Sequence, residues 1–351
     1  MRIWFRRAVA AILVMVLMLP GSVAQATEIE ESLPEETLPA PTEPIPEETL
    51  PASTEPAPEE TQPHTYEVDT ETEIYRVCDE LAAELNFDQL LVYDATNDKM
   101  LYTNTREGEK LYPASITKLF SAYVALQYLK PKDEITVTDE LELVQPGSSM
   151  AYIGRGSRLY VQTIVEGMML PSGNDAAMIL AAAAGRRIAD DQSLSAAEAV
   201  EVFVMEMNRM AEELGFERSH FSNPDGWHTG SHYTCLNDMA RIAKLALEDK
   251  VISRYMRTAQ EEVYFLSGHM VNWENTNLLL GGEGGFYRGD AIGMKTGYTR
   301  QAEYSLMSAF KCSDGRKLVI GVFGYAKERE RFQDVIKLAD VCKAQLKKDA
   351  K

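Results

Sequence analysis

"YPASITKLF", residues 112–120, sets a serine three positions ahead of a lysine where an apolar run begins. Pro113 suits the first turn of a helix, so Ser115 falls at or near a helix N-terminus, with Lys118 one turn later on the same face. A serine hydroxyl is a poor nucleophile until a base takes its proton. A lysine can be that base only where burial or a neighbouring cation lowers its pKa. The helix N-terminus adds favourable potential for the anion that develops on attack. Alone, Ser-x-x-Lys is a common chance pattern and most often belongs to a surface helix.

Two stretches further along change the weighting. "LPSGNDAA" places Ser172, Gly173 and Asn174 at a helix-to-helix turn, and "GMKTGYT" places Lys295, Thr296 and Gly297 within a strand signal. Ser-Gly-Asn is a routine turn and Lys-Thr-Gly a routine strand end. Together, in this order and context, the three make a strong signature.

Around them the chain reads as an ordinary globular domain from residue 71. "ETEIYRVCDELAAEL" has helical periodicity, and "QLLVYDA" with "KMLYTN" read as two hairpin-related strands. A long helical middle follows. It runs through 115–129, "VQTIVEGMML", the Ala-rich stretch after Asn174, "SAAEAVEVFVMEMNRMAEEL" and "LNDMARIAKLALE". Strand signals return in "EVYFLS", "IGMKTGY", "EYSLMSAFKC" and "RKLVIGVFG", and a last amphipathic helix begins near Glu328. Strands at both ends with helices between predict an α+β fold: one sheet built from the two chain termini, an inserted helical lobe, and a cleft between them.

On these residues the sequence resembles the penicillin-recognising serine enzymes, most closely the low-molecular-weight penicillin-binding proteins that are serine-type D-alanyl-D-alanine carboxypeptidases. The segments "YPASITKLFSAYVAL", "MMLPSGNDAAMILA", "HFSNPDGWHTGSHYTCLNDMARIA", "WENTNLLL" and "MKTGYT" carry the likeness in order. The resemblance implies a transpeptidase/β-lactamase-like fold, an antiparallel sheet flanked by helices. It implies substrates that are peptidoglycan stem peptides ending in D-Ala-D-Ala, β-lactams as inhibitors, and no metal or organic cofactor. It assigns Ser115 as nucleophile, Lys118 as its base, Ser172 as proton relay to the departing D-alanine, and Asn174 as the group orienting Lys118 and the substrate amide. Lys295 and Thr296 would hold the terminal carboxylate, and Gly297 would leave room for a substrate backbone lying along the strand. The N–H groups of Ser115 and Tyr298 would form the oxyanion hole. Arg331 is a further candidate for carboxylate contact. One departure is Glu303 in "TRQAEY", where the family usually has Gly.

Other readings fit some of the same residues. A β-lactamase on the same fold needs a Glu that activates water beyond the second motif; no "ExxLN" follows Ser172, and Glu166 precedes it. A DD-endopeptidase shares the dipeptide chemistry, and a non-catalytic β-lactam-sensing module would keep the cleft without turnover. His228, His232, Cys235 and Asp238 have spacings open to a zinc reading, but they fall in a turn that the serine family also contains. "GGEGG" at 281–285 lacks the Gly-Lys-Ser/Thr of a phosphate loop.

The N-terminal end speaks to location. Residues 1–26 carry Arg2, Arg6 and Arg7, an apolar stretch and "AQA", the parts of a secretory signal, so the protein is expected to be exported. Cleavage after Ala26 is favoured over retention as an anchor. Residues 27–70 are Pro-rich and acidic and repeat "PEETLP" units every 12 residues from Pro34. They are expected to form a disordered, extended linker, either a tether to membrane or cell wall or a neutral leader, ahead of a catalytic domain at 71–351. The chain's formal charge is −19, but thirteen acidic residues lie in that linker and three arginines in the signal, so residues 71–351 carry −9. A balance of that sign argues against nucleic acid as a partner. Cys78, Cys235, Cys312 and Cys342 form no CxxC pair and are expected to be buried thiols. If one pair bridges, it is Cys78 with Cys342, each on a terminal amphipathic helix.

Overall fold

The computed structural model describes residues 65–104, 109–281 and 283–349. The chain divides into two units, 1–57 and 58–351, and every described residue belongs to the second. The expected signal and all but the last six residues of the expected linker lie outside the described residues. In chain order the elements are α1 (Glu73–Glu84), β1 (Gln89–Asp94), β2 (Lys99–Thr103), α2 (Thr117–Tyr128), β3 (Glu134–Thr136) and β4 (Arg158–Tyr160). These are followed by α3 (Val161–Met169), α4 (Asn174–Ile188), α5 (Ala196–Glu213), α6 (Leu236–Glu248), α7 (Lys250–Tyr255), β5 (Gln260–Tyr264) and β6 (Met270–Glu274). β7 (Ala291–Thr299), β8 (Glu303–Lys311), β9 (Lys317–Tyr325) and α8 (Glu330–Asp349) complete the series.

β1 is apolar almost throughout because both of its faces are covered. Successive side chains of a strand point to opposite faces. Leu90 and Val92 pack with α1 and α8, whereas Leu91 and Tyr93 join the core of the helical lobe. The central sheet is antiparallel with order β2-β1-β9-β8-β7, so the two chain ends meet at β1 and β9 and β7 forms one edge. Helices α2 to α7 are inserted between β2 and β7, with the hairpins β3/β4 and β5/β6 among them. This is the α+β arrangement expected from the periodicity.

Packing begins before the boundary expected at 71. Tyr66 is buried, its ring meets Tyr93 edge-on at 5.5 Å, and its hydroxyl donates to Asp98 Oδ1 at 2.7 Å. An aromatic with a polar tip finds both an apolar body contact and a partner there, which the acidic composition around it concealed. At the other end of the unit, Cys78 on α1 and Cys342 on α8 are free thiols, fully buried, with sulfurs 3.4 Å apart.

The β7–β8 hairpin accounts for the Glu303 departure. Glu303 pairs with Thr299 and sits at φ 52°, in the left-handed region that glycine adopts without steric cost. The backbone still requires that conformation, and a glutamate occupies it under strain.

Candidate active site

Ala114–Ile116 form a 3-10 turn that leads directly into α2, with Pro113 at its N-cap. Ala114 has φ 47°, and Ser172 of the second motif has φ 63°. Two non-glycine residues in the left-handed region thus flank or occupy the candidate catalytic positions, a local cost that the surrounding structure must hold. Gly226 is what lets Ala114 take this shape. Its φ is +85°, and a Cβ there would lie 1.8 Å from the Ala114 carbonyl oxygen and 2.9 Å from Ser115 N.

Lys118 is completely buried at the start of α2, one turn after Ser115, and its Nζ donates to Ser115 Oγ at 2.8 Å, Asn174 Oδ1 at 2.7 Å and the Asp225 carbonyl oxygen at 2.8 Å. Burial lowers its pKa to about 8 against the pull of Asp225 and Asp175. A neutral amine has two N–H donors and one lone pair. With the donors on Asn174 and Asp225, the lone pair is left facing the Ser115 hydroxyl.

Asn174 begins α4 and is held from its other side. Its Nδ2 donates to Ser148 Oγ at 3.0 Å, and its N–H to the Ser149 carbonyl at 2.8 Å. Asp175, fully buried, accepts from the N–H groups of Ala151, Ile153 and Ala176 and so clamps the loop that carries Ser148. A Cβ on Gly173 would lie 2.6 Å from Ala151 Cβ, which is why the second motif has glycine at its centre.

The third motif lies on edge strand β7. Lys295 is fully buried; its Nζ donates to the Thr296 carbonyl at 3.2 Å. Its pKa is held well below the usual lysine value, first by burial and then by the charges of Lys118 and Arg331. The Thr296 hydroxyl pairs with that of Thr276 at 2.6 Å. Tyr298 is half exposed, its ring stacked on Tyr304 at 4.3 Å. A Cβ on Gly297 would meet the Pro113 carbonyl at 2.9 Å and Ala114 Cβ at 3.2 Å. In this structure the absent side chain makes room for the Ser115 turn itself, not only for a substrate backbone.

These elements enclose a cleft of about 540 Å³ whose walls include Ser115, Ser172, Asn174, Thr296, Gly297 and Tyr298, with Lys118 and Lys295 buried behind them. All eight residues of the expected site are therefore brought together. Arg331 also lines the cleft; its guanidinium donates to the Gly297 and Ser305 carbonyls at 3.2 and 3.0 Å and pairs with Glu328 at 3.2 Å, while its Nε is buried without a hydrogen-bond partner. Glu166, on α3, is buried beside Glu261 and is not among the cleft residues.

Two residues of the zinc reading, His232 and Asp238, are committed to other groups. The Ser222 N–H donates to His232 Nδ1 at 3.2 Å, so the proton resides on Nε2, which donates to Thr117 Oγ1 at 2.8 Å. Asp238 accepts from the N–H groups of Glu217 and Arg218 and from Ser219 Oγ. The His228 ring stands edge-on to Tyr112. Ser148, Asp175, Asp225 and Gly226 were not singled out from the sequence. Asp225 and Gly226 lie inside the "SNPDGW" segment, whose Pro-Asp-Gly marks a turn without saying what the turn touches.

A family described as D-alanyl-D-alanine carboxypeptidase, peptidase family S11, matches residues 77–326. The chain belongs to the S11 peptidases. Among S11 relatives, it is 31% identical over 265 residues to D-alanyl-D-alanine carboxypeptidase DacF of Bacillus subtilis, covering 74% of this chain and 62% of that one. It is 30% identical to the D-alanyl-D-alanine carboxypeptidase of Streptomyces sp. K15, covering 63% of this chain and 74% of that one. With DacC of Escherichia coli the identity is also 30%, over 71% of this chain and 59% of the relative. The chain thus spans less than two thirds of the length of two of these relatives. The crystal structure of the Streptomyces K15 DD-transpeptidase superposes with a TM-score of 0.65 at 26% identity, over 74% of this chain and 98% of that one.

Proposed function

We propose that this chain is an exported serine D-alanyl-D-alanine carboxypeptidase that removes the terminal D-alanine from peptidoglycan stem peptides through an acyl-enzyme, and that β-lactams inhibit it. The observation that carries the reading is a buried lysine with lowered pKa, its Nζ 2.8 Å from the hydroxyl of a serine in a cleft. Ser115 attacks the carbonyl between the two D-alanines while Lys118 takes its proton. The N–H groups of Ser115 and Tyr298 receive the developing oxyanion, and removing such a donor typically costs about 100- to 1,000-fold in rate. Ser172 passes a proton to the departing amine, and Asn174 keeps Lys118 in line.

Lys295 and Thr296 hold the terminal carboxylate. Because Lys295 has cations as its charged neighbours, the arriving carboxylate supplies the anionic partner that it lacks and raises its pKa in the complex. β7 being an edge strand, the substrate backbone can add alongside it. Water then hydrolyses the ester. The catalytic domain is residues 66–351, preceded by a secretory signal at 1–26 and a linker that keeps the enzyme at the cell wall or the outer face of the membrane. Among the described residues no helix is long and apolar enough to cross a membrane.

A second reading has one specific support: the Streptomyces K15 relative bears a carboxypeptidase name and, as a structure, a transpeptidase name. In that case an amine rather than water takes the acyl group. Mass spectrometry of the purified chain with a D-Ala-D-Ala pentapeptide, with and without an amine acceptor, and separately with penicillin, tests both. Release of one D-alanine and a lasting penicillin adduct, both lost in Ser115→Ala, are expected. Rapid penicillin turnover without an adduct would make it a β-lactamase, and an adduct without peptide cleavage a sensor.

A further inference from the structure

The Asp225 carboxylate has no role in the mechanism above, yet it is placed as few surface-turn aspartates are. The residue is 1% exposed. Its Oδ1 accepts from the Trp227 N–H at 3.0 Å, while its Oδ2 is buried without a hydrogen-bond partner. Its main-chain oxygen is one of the three acceptors of Lys118 Nζ. A sealed carboxylate oxygen with nothing to bond normally costs too much to keep, unless the charge itself is used.

We propose that Asp225 is a positioning residue of this same site: its main-chain oxygen fixes Lys118 Nζ against Ser115, and its sealed carboxylate supplies the negative charge against which Lys118 becomes an ammonium. The inference rests on the serine-peptidase reading given above. When Ser115 attacks, its proton moves to Lys118, and a positive charge appears in a space from which water is excluded. The charged groups around that point are few. Asp225 and Asp175 favour the ammonium. Lys295 repels it across the cleft from β7, with Arg331 behind, and burial keeps His232, which also adjoins Lys118, neutral. Asp175, held by three backbone N–H groups, acts on Lys118 more weakly than Asp225 does. Burial raises the pKa of the Asp225 carboxyl, and the strongest influence opposing it is the charge of Lys118, ahead of the backbone N–H groups, so each of the two groups favours the charged form of the other.

Two effects follow if the charge is removed and the shape kept. Asp225→Asn retains an oxygen for the Trp227 N–H, so the turn survives. Lys118 then becomes a weaker base. Its acid limb moves to lower pH, by about one unit for the loss of one nearby opposite charge, and the plateau rate falls. The experiment is the pH profile of the second-order rate of acylation by penicillin, measured on the full chain for wild type, Asp225→Asn and Asp225→Ala. Expected is an acid limb shifted down by about one unit in both variants, with the Asn variant melting near wild type and the Ala variant lower because Trp227 N–H has lost its acceptor.

An Asn limb coincident with wild type, with activity lost only in the Ala variant, would mean that the side chain merely props the turn, and the proposal falls. A wild-type chain that forms no adduct on Ser115 and releases no D-alanine would instead overturn the parent reading. Should the Asn variant fail to accumulate as folded protein, carboxyl carbon NMR of the wild type decides the matter. An Asp225 signal that responds as Lys118 gains its proton along the acid limb supports the charge coupling, and one that stays flat refutes it.

Discussion

The Ser115 turn is packed against two glycines, Gly226 and Gly297, that leave unequal room for an added methyl. In Gly226→Ala the new Cβ would stand 1.8 Å from the Ala114 carbonyl oxygen, where ordinary contact begins at 3.4 Å, and the residue is at φ +85°. The carbonyl would have to retreat by about 1.6 Å and carry Ser115 N with it. The left-handed backbone alone costs an alanine about 1–2 kcal/mol. A displacement near 1 Å of a reacting group can cost about 100-fold in rate. Gly297→Ala presses on the same turn from β7, but its closest contact is 2.9 Å and its backbone is unstrained, so a shift of a few tenths of an ångström suffices. Gly230 has nothing within 4 Å and serves as the control. The assay is the second-order rate of acylation by a fluorescent penicillin, with melting temperature in parallel. Expected are losses of 100-fold or more for Gly226→Ala, about 10-fold for Gly297→Ala, and no change for Gly230→Ala. A Gly226→Ala enzyme that acylates within about twofold of wild type would refute the view that this glycine sets the position of Ser115.

Other expectations concern separate parts of the unit. With Lys118 as the proposed base its working form is the neutral amine, and since burial lowers its pKa to about 8, acylation should climb as pH rises through about 8; a flat profile from pH 6 to 9 would remove Lys118 as base. The same group binds fewer protons folded than unfolded between about 8 and its ordinary 10.5, so its contribution to stability rises with pH across that window, readable as a rise in urea midpoint that Lys118→Met abolishes. Glu303→Gly should be neutral or stabilising by under about 1 kcal/mol and Glu303→Val destabilising by about 1–2, as φ 52° admits glycine and excludes a β-branched residue; a Gly variant melting well below wild type contradicts this. Refolding with a low-molecular-weight disulfide should link Cys78 to Cys342, whose sulfurs already touch, and peptide mapping that finds both still alkylatable would count against it.

Strand and helix order were legible because their signals are local: β1 is apolar on both faces, and α5 opens on a Ser195–Glu198 capping box. The three motifs were legible because each fixes several residue types at once. What escaped were contacts made through main-chain atoms and loops. The Asp225 carbonyl that holds Lys118 lies 107 residues away in sequence, and a carbonyl leaves no trace in residue identity. Ser148 supports Asn174 from a loop without periodicity, and Asp175 reads as a helix-start acid until its three N–H partners are known. Tyr66 was hidden for a different reason, since one aromatic in an acidic, Pro-rich context gives no pattern to recognise.

The pairing of β1 with β9 has a kinetic meaning. Asp94 lies against Leu318 and Gln89 against Phe323, more than 220 residues apart, and β8 and β7 join the sheet beyond β9. A chain that emerges N-terminus first therefore cannot close its sheet until nearly all of it is available. Contacts this distant in sequence slow folding, because the loop must be closed before the pairing repays it. The wait leaves β1, apolar on both faces, without its partner, the state in which strands find wrong neighbours. Crossing a membrane unfolded, and folding only after release, would turn that delay into an advantage.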